Sequence, residues 1–199
     1  MRLKQTLYVL SALSLAGCAT GRLDAQWSDP QAAGQTLGGS TVLVVCMTAE
    51  QTVVRICQDQ LAAQLRIVGV TPVMSEGLTL GADKNTDKVM AAARSLGAQG
   101  VMQATLSPIT TVINSGPSFG FGIGSGGYRS GGGLGMSFPI GSNTQTSTTS
   151  YSSDTTLTNV VSARLMWSGK ASTISQEVPD QIASLAKITV ESARKAGIL

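Results

Sequence analysis

The feature that most constrains this chain is a change of hydrophobic period near residue 50. The run TVLVVCM at Thr41–Met47 is almost continuously apolar and rich in β-branched residues, which is typical of a strand covered on both faces. After it, apolar residues recur at spacings of three and four, which predicts a helix with one apolar stripe. The stripe consists of Val54, Cys57, Leu61, Leu65 and Val68. The chain therefore begins its fold as a buried strand followed by a helix that covers it.

The next segments repeat this alternation. Residues 70–74 predict a second strand, which Pro72 would place at a sheet edge because proline cannot donate to the ladder. A second helix capped near residue 86 ends at Gly97, and residues 101–112 predict a third strand. This β-α-β-α-β order predicts helices packed against a sheet.

The first eighteen residues have the three parts of a secretory signal. A positive start and an apolar stretch shorter than a membrane span precede the tetrapeptide LAGC at residues 15–18, which resembles the bacterial lipobox. The resemblance implies a lipoprotein signal peptide at 1–17 and acylation of Cys18, and several acyl chains anchor a protein stably. Ala19 rather than aspartate after the cysteine implies the outer membrane, periplasmic side. The alternative is an ordinary signal peptide with an incidental cysteine.

Composition after the signal is that of one folded domain. Residues 18–40 are small, polar and glycine-broken, so they are predicted to be a lipidated tether and leading segment, with Trp27 as a packing plug. Residues 41–199 are predicted to be a single periplasmic α/β domain with a glycine-rich insertion at 114–143. In the whole sequence, hydrophobic residues at 42% and charged residues at 13% exclude a generally disordered chain.

The net charge of the chain without its signal bears on whether it binds nucleic acid. Removal of Arg2 and Lys4 with the signal reduces the 14 basic side chains to 12, against 11 acidic ones. A nearly neutral domain without a basic cluster gives no support for nucleic-acid binding.

Two cysteines remain in the domain. Cys46 ends a predicted strand and Cys57 lies on the inner face of the next helix, so the two could approach. In an oxidising compartment a disulfide is one candidate, whereas two buried thiols acting as small hydrophobic side chains are the favoured interpretation. No metal site is predicted, because the chain has no histidine.

Sequence features of catalysis are lacking. Nucleophilic hydrolysis needs a base beside serine or cysteine, and histidine, the usual base, is absent. The aspartates stand in polar or turn contexts, where capping and solvation account for them. The glycines at 120–127 are not followed by a helical period, as a dinucleotide loop requires. We therefore predict no catalytic residue and no cofactor, and expect that the chain is not an enzyme.

The segment SFGFGIGSGGYRSGGGLGMSFPIG at residues 118–141 alternates glycine with large apolar residues. Two short arms with an apolar face around a glycine-rich turn predict a β-hairpin. Its candidate interaction surface is Phe119, Phe121, Ile123, Leu134, Met136 and Phe138. Three uses stay open: a loop that folds back onto the sheet or stays disordered, a docking surface for an envelope protein or for self-association, or membrane contact by an oligomer.

Residues 157–168, LTNVVSARLMWS, resemble a hairpin of uncharacterised Gram-negative outer-membrane lipoproteins, a domain of unknown function. There the pattern is roughly L-x-D-x-x-T-G-x-L-V-W-S. The leading leucine and the L-x-W-S end match, whereas Asn159 replaces the aspartate and Ala163 the turn glycine. Alanine tolerates positive φ poorly, so the type of turn stays open. The fragments WSDP at 27–30 and AARSLGAQGVMQAT at 92–105 fit the same family in the same order.

The resemblance implies one α/β domain, distantly similar to the amino-terminal domain of the Tol-system periplasmic protein and to the periplasmic domain of the curli secretion channel. It implies a β-meander of residues 101–112, the Ser/Thr-rich segment 144–154 and residues 164–173. Composition alone would also allow 144–154 to be a disordered linker. A last helix is predicted at 179–196. The predicted fold class is α/β, a mixed sheet in the order β-α-β-α-β-(glycine-rich hairpin or loop)-β-β-α with helices packed on it.

These patterns favour a binding protein. We expect a non-catalytic outer-membrane lipoprotein that serves as a periplasm-facing binding or scaffold module of the cell envelope. Its partners would be the membrane, through the lipid anchor, and an envelope protein or a second copy. The alternative is an oligomeric export or pore-like component that uses the hairpin 118–141.

Overall fold

Strands and helices alternate along the described part of the chain. The computed structural model describes residues 21–32, 34–74, 86–115, 118–120, 137–139, 144–174 and 177–199, and for strand residues between 111 and 148 it describes the backbone. The strands are β1 (Gly21–Ser28), β2 (Thr41–Met47), β3 (Thr71–Met74), β4 (Gly100–Ser115), β5 (Ser118–Gly120), β6 (Ser137–Pro139), β7 (Thr144–Asn159) and β8 (Leu165–Thr173). The helices are α1 (Gln51–Ile67), α2 (Thr86–Ser95) and α3 (Val178–Lys195).

Six strands form one mixed sheet in the order β1-β8-β7-β4-β2-β3, and β5 pairs with β6. β2 is parallel to β3 and β4, whereas β4, β7, β8 and β1 pair antiparallel in turn. The predicted α/β class, with a mixed sheet and helices packed on it, is confirmed. β3 lies at the sheet edge, as Pro72 predicts.

The prediction that residues 18–40 form a tether is wrong for residues 21–28, which form strand β1. Gly21–Ser28 pairs with β8 from end to end apart from Asp24, so these residues belong to the sheet rather than to a leading segment. The segment GRLDAQWS is mostly exposed or half-buried. An edge strand of this kind needs no continuous apolar run, because its backbone pairing supplies much of its stabilisation.

Two apolar cores lie on opposite faces of the sheet. Helices α1 and α3 pack over one face, where Met102, Leu157 and Trp167 are fully buried. The other core joins α2 to Leu43 and Val45 of β2. The predicted apolar stripe of α1 is largely correct, except that Val53 is buried whereas Val54 and Val68 are only half-buried. Among the described helices, none has the length and apolar content required to cross a bilayer.

A disulfide joins Cys46 at the end of β2 to Cys57 in α1, with the two Cα atoms 6.2 Å apart. The favoured interpretation of two separate buried thiols is therefore wrong. Both residues are buried in the core under α1 and α3, and their Cα separation lies within the range that a bridge requires. The bridge fixes the second turn of α1 against the end of β2.

Candidate functional site

The candidate site is the part of the sheet face that α2 leaves uncovered, which we call the open sheet face. Cross-strand partners lie on the same side of a sheet. One row across β1, β8 and β7 is Trp27, Ser168 and Thr156. In the next row, Lys170 lies opposite Asp154 and its Nζ is 3.8 Å from the Asp154 carboxylate. These side chains are half-buried or exposed, which distinguishes this half of the sheet from the half under α2.

The open sheet face contains a groove of about 360 Å³. Trp27 stands on its rim with 48% of its surface exposed, so the prediction that Trp27 is a packing plug is wrong. An indole beside hydroxyls and an ion pair offers an apolar contact and several hydrogen-bonding groups. The groove lining is Ala25, Gln26, Trp27, Asp154, Thr155, Thr156, Ser168, Gly169 and Lys170.

A bulge interrupts β1 near this groove. The register shifts between Leu23 and Ala25, and the Asp24 carboxylate accepts hydrogen bonds from Arg22 Nε at 2.8 Å and from Ser172 Oγ at 3.1 Å. Bulges and charged side chains are devices that restrict unwanted pairing at sheet edges. The bulge and the charged residues therefore protect the first half of β1 against pairing with another strand. The second half, which carries Trp27, has neither feature.

The WSDP fragment holds the start of β8 in place. The Asp29 carboxylate pairs with Arg164 at 2.6 Å, and Arg164 Nη1 also donates to Gln31 Oε1 at 2.7 Å. The Asp29 backbone N–H donates to the Met166 carbonyl at 2.9 Å. Asp29 is only 11% exposed, and the adjacent cavity is about 100 Å³. This cluster ties the chain after β1 to the β7–β8 turn, which is a structural role.

The β7–β8 turn explains two positions of the lipoprotein-like pattern. Asn159 Oδ1 accepts hydrogen bonds from the backbone N–H groups of Val161 and Ser162, both at 2.9 Å, a role that an aspartate would also perform. Ala163 has φ of 54°, the left-handed conformation in which glycine is favoured. The turn thus keeps a positive φ despite the alanine.

The Trp-Ser-Gly end of the pattern is a packing arrangement. Trp167 is fully buried, and its six-membered ring covers Gly169 so closely that a Cβ at Gly169 would collide with Cη2 and Cζ2. The indole Nε1 of Trp167 has no hydrogen-bond partner among the described residues. Ser168 points to the opposite face, where it lines the groove. This short sequence therefore serves the core and the open sheet face together.

The buried side chain of Gln181 in helix α3 hydrogen-bonds to the backbone of β7. Gln181 is fully buried, with its Oε1 accepting from the Tyr151 N–H and its Nε2 donating to the Thr149 carbonyl. Burial raises the pKa of the Tyr151 hydroxyl above its ordinary value of 10.0, and the negative charge of Glu50 raises the pKa further. Tyr151 therefore stays neutral in the folded protein beyond the pH at which an exposed tyrosine ionises.

The residues predicted from the sequence fall into three groups. Cys46 and Cys57 are bridged. Phe119 and Phe138 lie directly opposite each other in the β5–β6 pair. The remaining predicted residues lie outside the described part of the chain, namely Cys18, Phe121, Ile123, Leu134 and Met136. Within the described ranges, no group of three or more His, Cys, Asp or Glu residues could hold a metal ion.

Sequence reasoning missed the open sheet face. The signal available was the alternation of exposed polar residues in β7 and β8, with Asp154 and Thr156 on one strand and Ser168 and Lys170 on the next. Alternation shows that one face of each strand is polar. It does not show that the two polar faces adjoin an exposed tryptophan, because that depends on strand order.

Comparison with known proteins yields a likeness to solved structures alone. No protein-family model matches the chain, and no curated protein matches it. The chain is similar to the PelC dodecamer from Paraburkholderia phytofirmans in two crystal forms. For one, a point variant, the identity is 14%, the match covers 86% of this chain and 95% of the other, and the TM-score is 0.47. For the second crystal form the identity is 15%, the match covers 84% of this chain and 96% of the other, and the TM-score is 0.46.

Proposed function

We propose that this chain is a non-catalytic outer-membrane lipoprotein whose periplasm-facing domain acts as a binding or scaffold module of the cell envelope. The lipobox-like residues 15–18 support the anchor. The Cys46–Cys57 bridge supports an exported chain, since disulfides persist in oxidising compartments. The observation that carries the binding role is the open sheet face with its exposed Trp27.

The open sheet face suits a protein segment as ligand. β1 is the last strand on its side of the sheet, and such a strand can accept another strand through its free N–H and C=O groups. A segment added beside β1 would bring its side chains to Trp27 and the groove. Tryptophan is enriched among the residues that dominate binding energy at protein interfaces. Backbone pairing would supply affinity and the groove would supply selectivity.

The anchor is tested by following the lipid. Cells that express the full chain and take up an alkyne-labelled fatty acid should label the protein, and the label should sediment with the outer membrane. Cys18→Ala should lose the label and leave the membrane fraction. The matched control is Cys46→Ala with Cys57→Ala, which removes the two domain cysteines and should keep the label. Labelling that survives Cys18→Ala would contradict the proposal.

The binding role is tested by photo-crosslinking in cells. A photoreactive residue at Ala25, which is exposed on β1 opposite Lys170 and lines the groove, should capture one discrete envelope protein. The same residue at Ile67, which is 75% exposed at the end of α1, is the control and should not capture it. Trp27→Ala should reduce the capture, whereas Ile174→Ala, which changes a side chain that is 83% exposed, should not. Equal capture from Ala25 and Ile67 would refute the role of the open sheet face.

The alternative role is an oligomeric export or pore-like component. The long pairing of β4 with β7 favours it, because it continues past the end of β8, and the β5–β6 pair adds a short hairpin-like pairing. A spanning structure would need a closed ring of copies, since an open pair of strands cannot cross hydrocarbon with unpaired edges. Size measurement separates the two roles. A chain without the signal and Cys18 should be monomeric in water and in detergent if it is a scaffold, and a defined ring in detergent would support the pore.

A further inference from the structure

The beginning of β1 and the end of β8 mark one end of the sheet. Gly21 lies opposite Thr173, and the pairing of β8 with β7 ends at Ser172 and Ser152. Cys18 precedes Gly21 by three residues, which span at most about 11 Å when fully extended. A lipid anchor at Cys18 therefore holds this end of the sheet close to the membrane.

Two strands continue past that end. β4 and β7 pair without interruption from Ser107 and Ser152 to Ser115 and Thr144. We call residues 107–115 with 144–152 the ribbon. At about 3.4 Å per residue the ribbon extends about 27 Å beyond the row at which β8 stops. It projects from the end of the sheet that the anchor holds.

The ribbon differs in charge from the rest of the chain. Between Arg94 and Asp154 the only charged residue is Arg129, although the whole sequence has 25 charged side chains. Exposed edges of paired strands ordinarily carry charged residues, which prevent association. An uncharged ribbon can approach a lipid headgroup region without the cost of desolvating an ion. Ile109, which is 45% exposed in the ribbon, adds apolar surface.

We propose that the ribbon and the β5–β6 pair rest in the headgroup region of the membrane leaflet that holds the Cys18 lipids, as a second membrane contact made by the protein itself. This inference rests on the proposed anchor at Cys18. The ribbon is longer than the reach of residues 18–21, so a sheet end held at the membrane brings the ribbon into the interface. Past the end of β8, no other described strand pairs with the outer edges of the ribbon. Their N–H and C=O groups would lose their hydrogen bonds to water in the hydrocarbon core, so the ribbon is expected to stay at the level of the headgroups. Phe119 and Phe138, whose backbones pair in register, add aromatic residues of the kind that interfacial segments carry.

The test measures depth in the bilayer at two ends of the domain. The full lipidated chain is reconstituted into vesicles of phosphatidylethanolamine and phosphatidylglycerol. One variant carries an environment-sensitive fluorophore at Ser137→Cys in β6, and the control carries it at Val161→Cys, which is 87% exposed at the opposite end of the sheet. The native Cys46 and Cys57 are bridged and do not react. Lipids with a quencher in the headgroup or upper acyl region then report contact.

We expect about twofold or greater quenching at Ser137 and no change at Val161. Phe138→Asp in the Ser137→Cys background should remove the quenching without releasing the protein from vesicles. If Ser137→Cys does not fold, as judged by loss of the bridge, Ser118→Cys on the facing strand replaces it.

Two negative results are distinguishable. Protein that floats with the vesicles while both labels remain in water would overturn the inference and leave the anchor intact. Protein that does not float and carries no lipid would overturn the anchor and the inference with it. Quenching of both labels alike would show a domain lying flat, and that outcome also contradicts the proposed orientation.

Discussion

Gln181 Oε1 accepts the backbone N–H of Tyr151 at 2.8 Å, one residue past the last pair between β7 and β8. Gln181 Nε2 donates to the Thr149 carbonyl at 3.0 Å. A helix side chain thus takes the place of the absent strand for two further residues of β7. This contact supports the base of the ribbon, where β8 no longer does.

Gln181→Leu should destabilise the domain by about 2–4 kcal/mol, because it leaves a buried N–H and a carbonyl without partners. Urea unfolding at neutral pH measures the loss. Gln51→Leu, at an exposed position at the start of α1, is the matched control and should change stability by less than about 0.5 kcal/mol. Equal effects of the two substitutions would show that the Gln181 contacts contribute little.

Gly169→Ala should cost about 1–3 kcal/mol, because the added methyl group collides with the Trp167 ring. The cost should be smaller when Trp167→Leu has already removed the ring. Unfolding of the four proteins in this double-mutant cycle gives the coupling energy. Additivity within about 0.5 kcal/mol would mean that the two side chains do not compete for the same space.

Ala163→Gly should stabilise the domain by about 0.5–1 kcal/mol. The left-handed conformation costs a residue with a side chain about 1–2 kcal/mol, and Ala163→Gly removes this cost. Glycine also makes the unfolded chain more flexible, which offsets only part of the stabilisation. Ala63→Gly, at an exposed position within α1, is the control and should destabilise by about 1 kcal/mol. Thermal unfolding should therefore show shifts of opposite sign.

Cys46→Ala with Cys57→Ala should lower stability by about 2–3 kcal/mol, since the bridge closes a loop with a sequence separation of 11. A reducing agent should weaken the native protein by a similar amount and leave the double variant unchanged. Unfolding midpoints with and without reductant measure both effects. A native protein that is indifferent to reductant would argue against the bridge.

Stability should fall as the pH rises above about 10. There the unfolded chain loses the Tyr151 proton while the folded protein, whose Tyr151 pKa is raised by burial and by Glu50, retains it, so unfolding releases a proton and alkali favours it. Below pH 10 both states are protonated and this contribution is constant. Tyr151→Phe should flatten the alkaline decline relative to the native protein in urea titrations at successive pH values.

Sequence patterns predicted the elements whose burial requires continuous apolar residues. β2 and the inner stripe of α1 are such cases, since a fully covered strand and a helix that covers it admit few polar side chains. β1 was missed because an edge strand with exposed faces shows no such pattern. Its place in the sheet depends on pairing with β8, which no local period reports.

The candidate site was less predictable for a related reason. The exposure of Trp27 depends on which strands α2 covers, and the core of α2 lies over β2 and β4 rather than over β1. The cysteines illustrate the same limit. Sequence placed Cys46 and Cys57 on facing elements, but the choice between bridge and free thiols required the separation of their Cα atoms.

The pairing of β1 with β8 also sets an order of assembly. Arg22 and Ser172, which hydrogen-bond across these strands, are 150 residues apart. In a chain that emerges amino terminus first, the earliest segment of the sheet must wait for one of the last before it can pair. The entropy cost of closing a loop grows only with the logarithm of its length. The long separation therefore delays the pairing of β1 but adds little to its free-energy cost. β1 can therefore join the sheet only after β8 is available, and until then the segment nearest Cys18 lacks its strand partner.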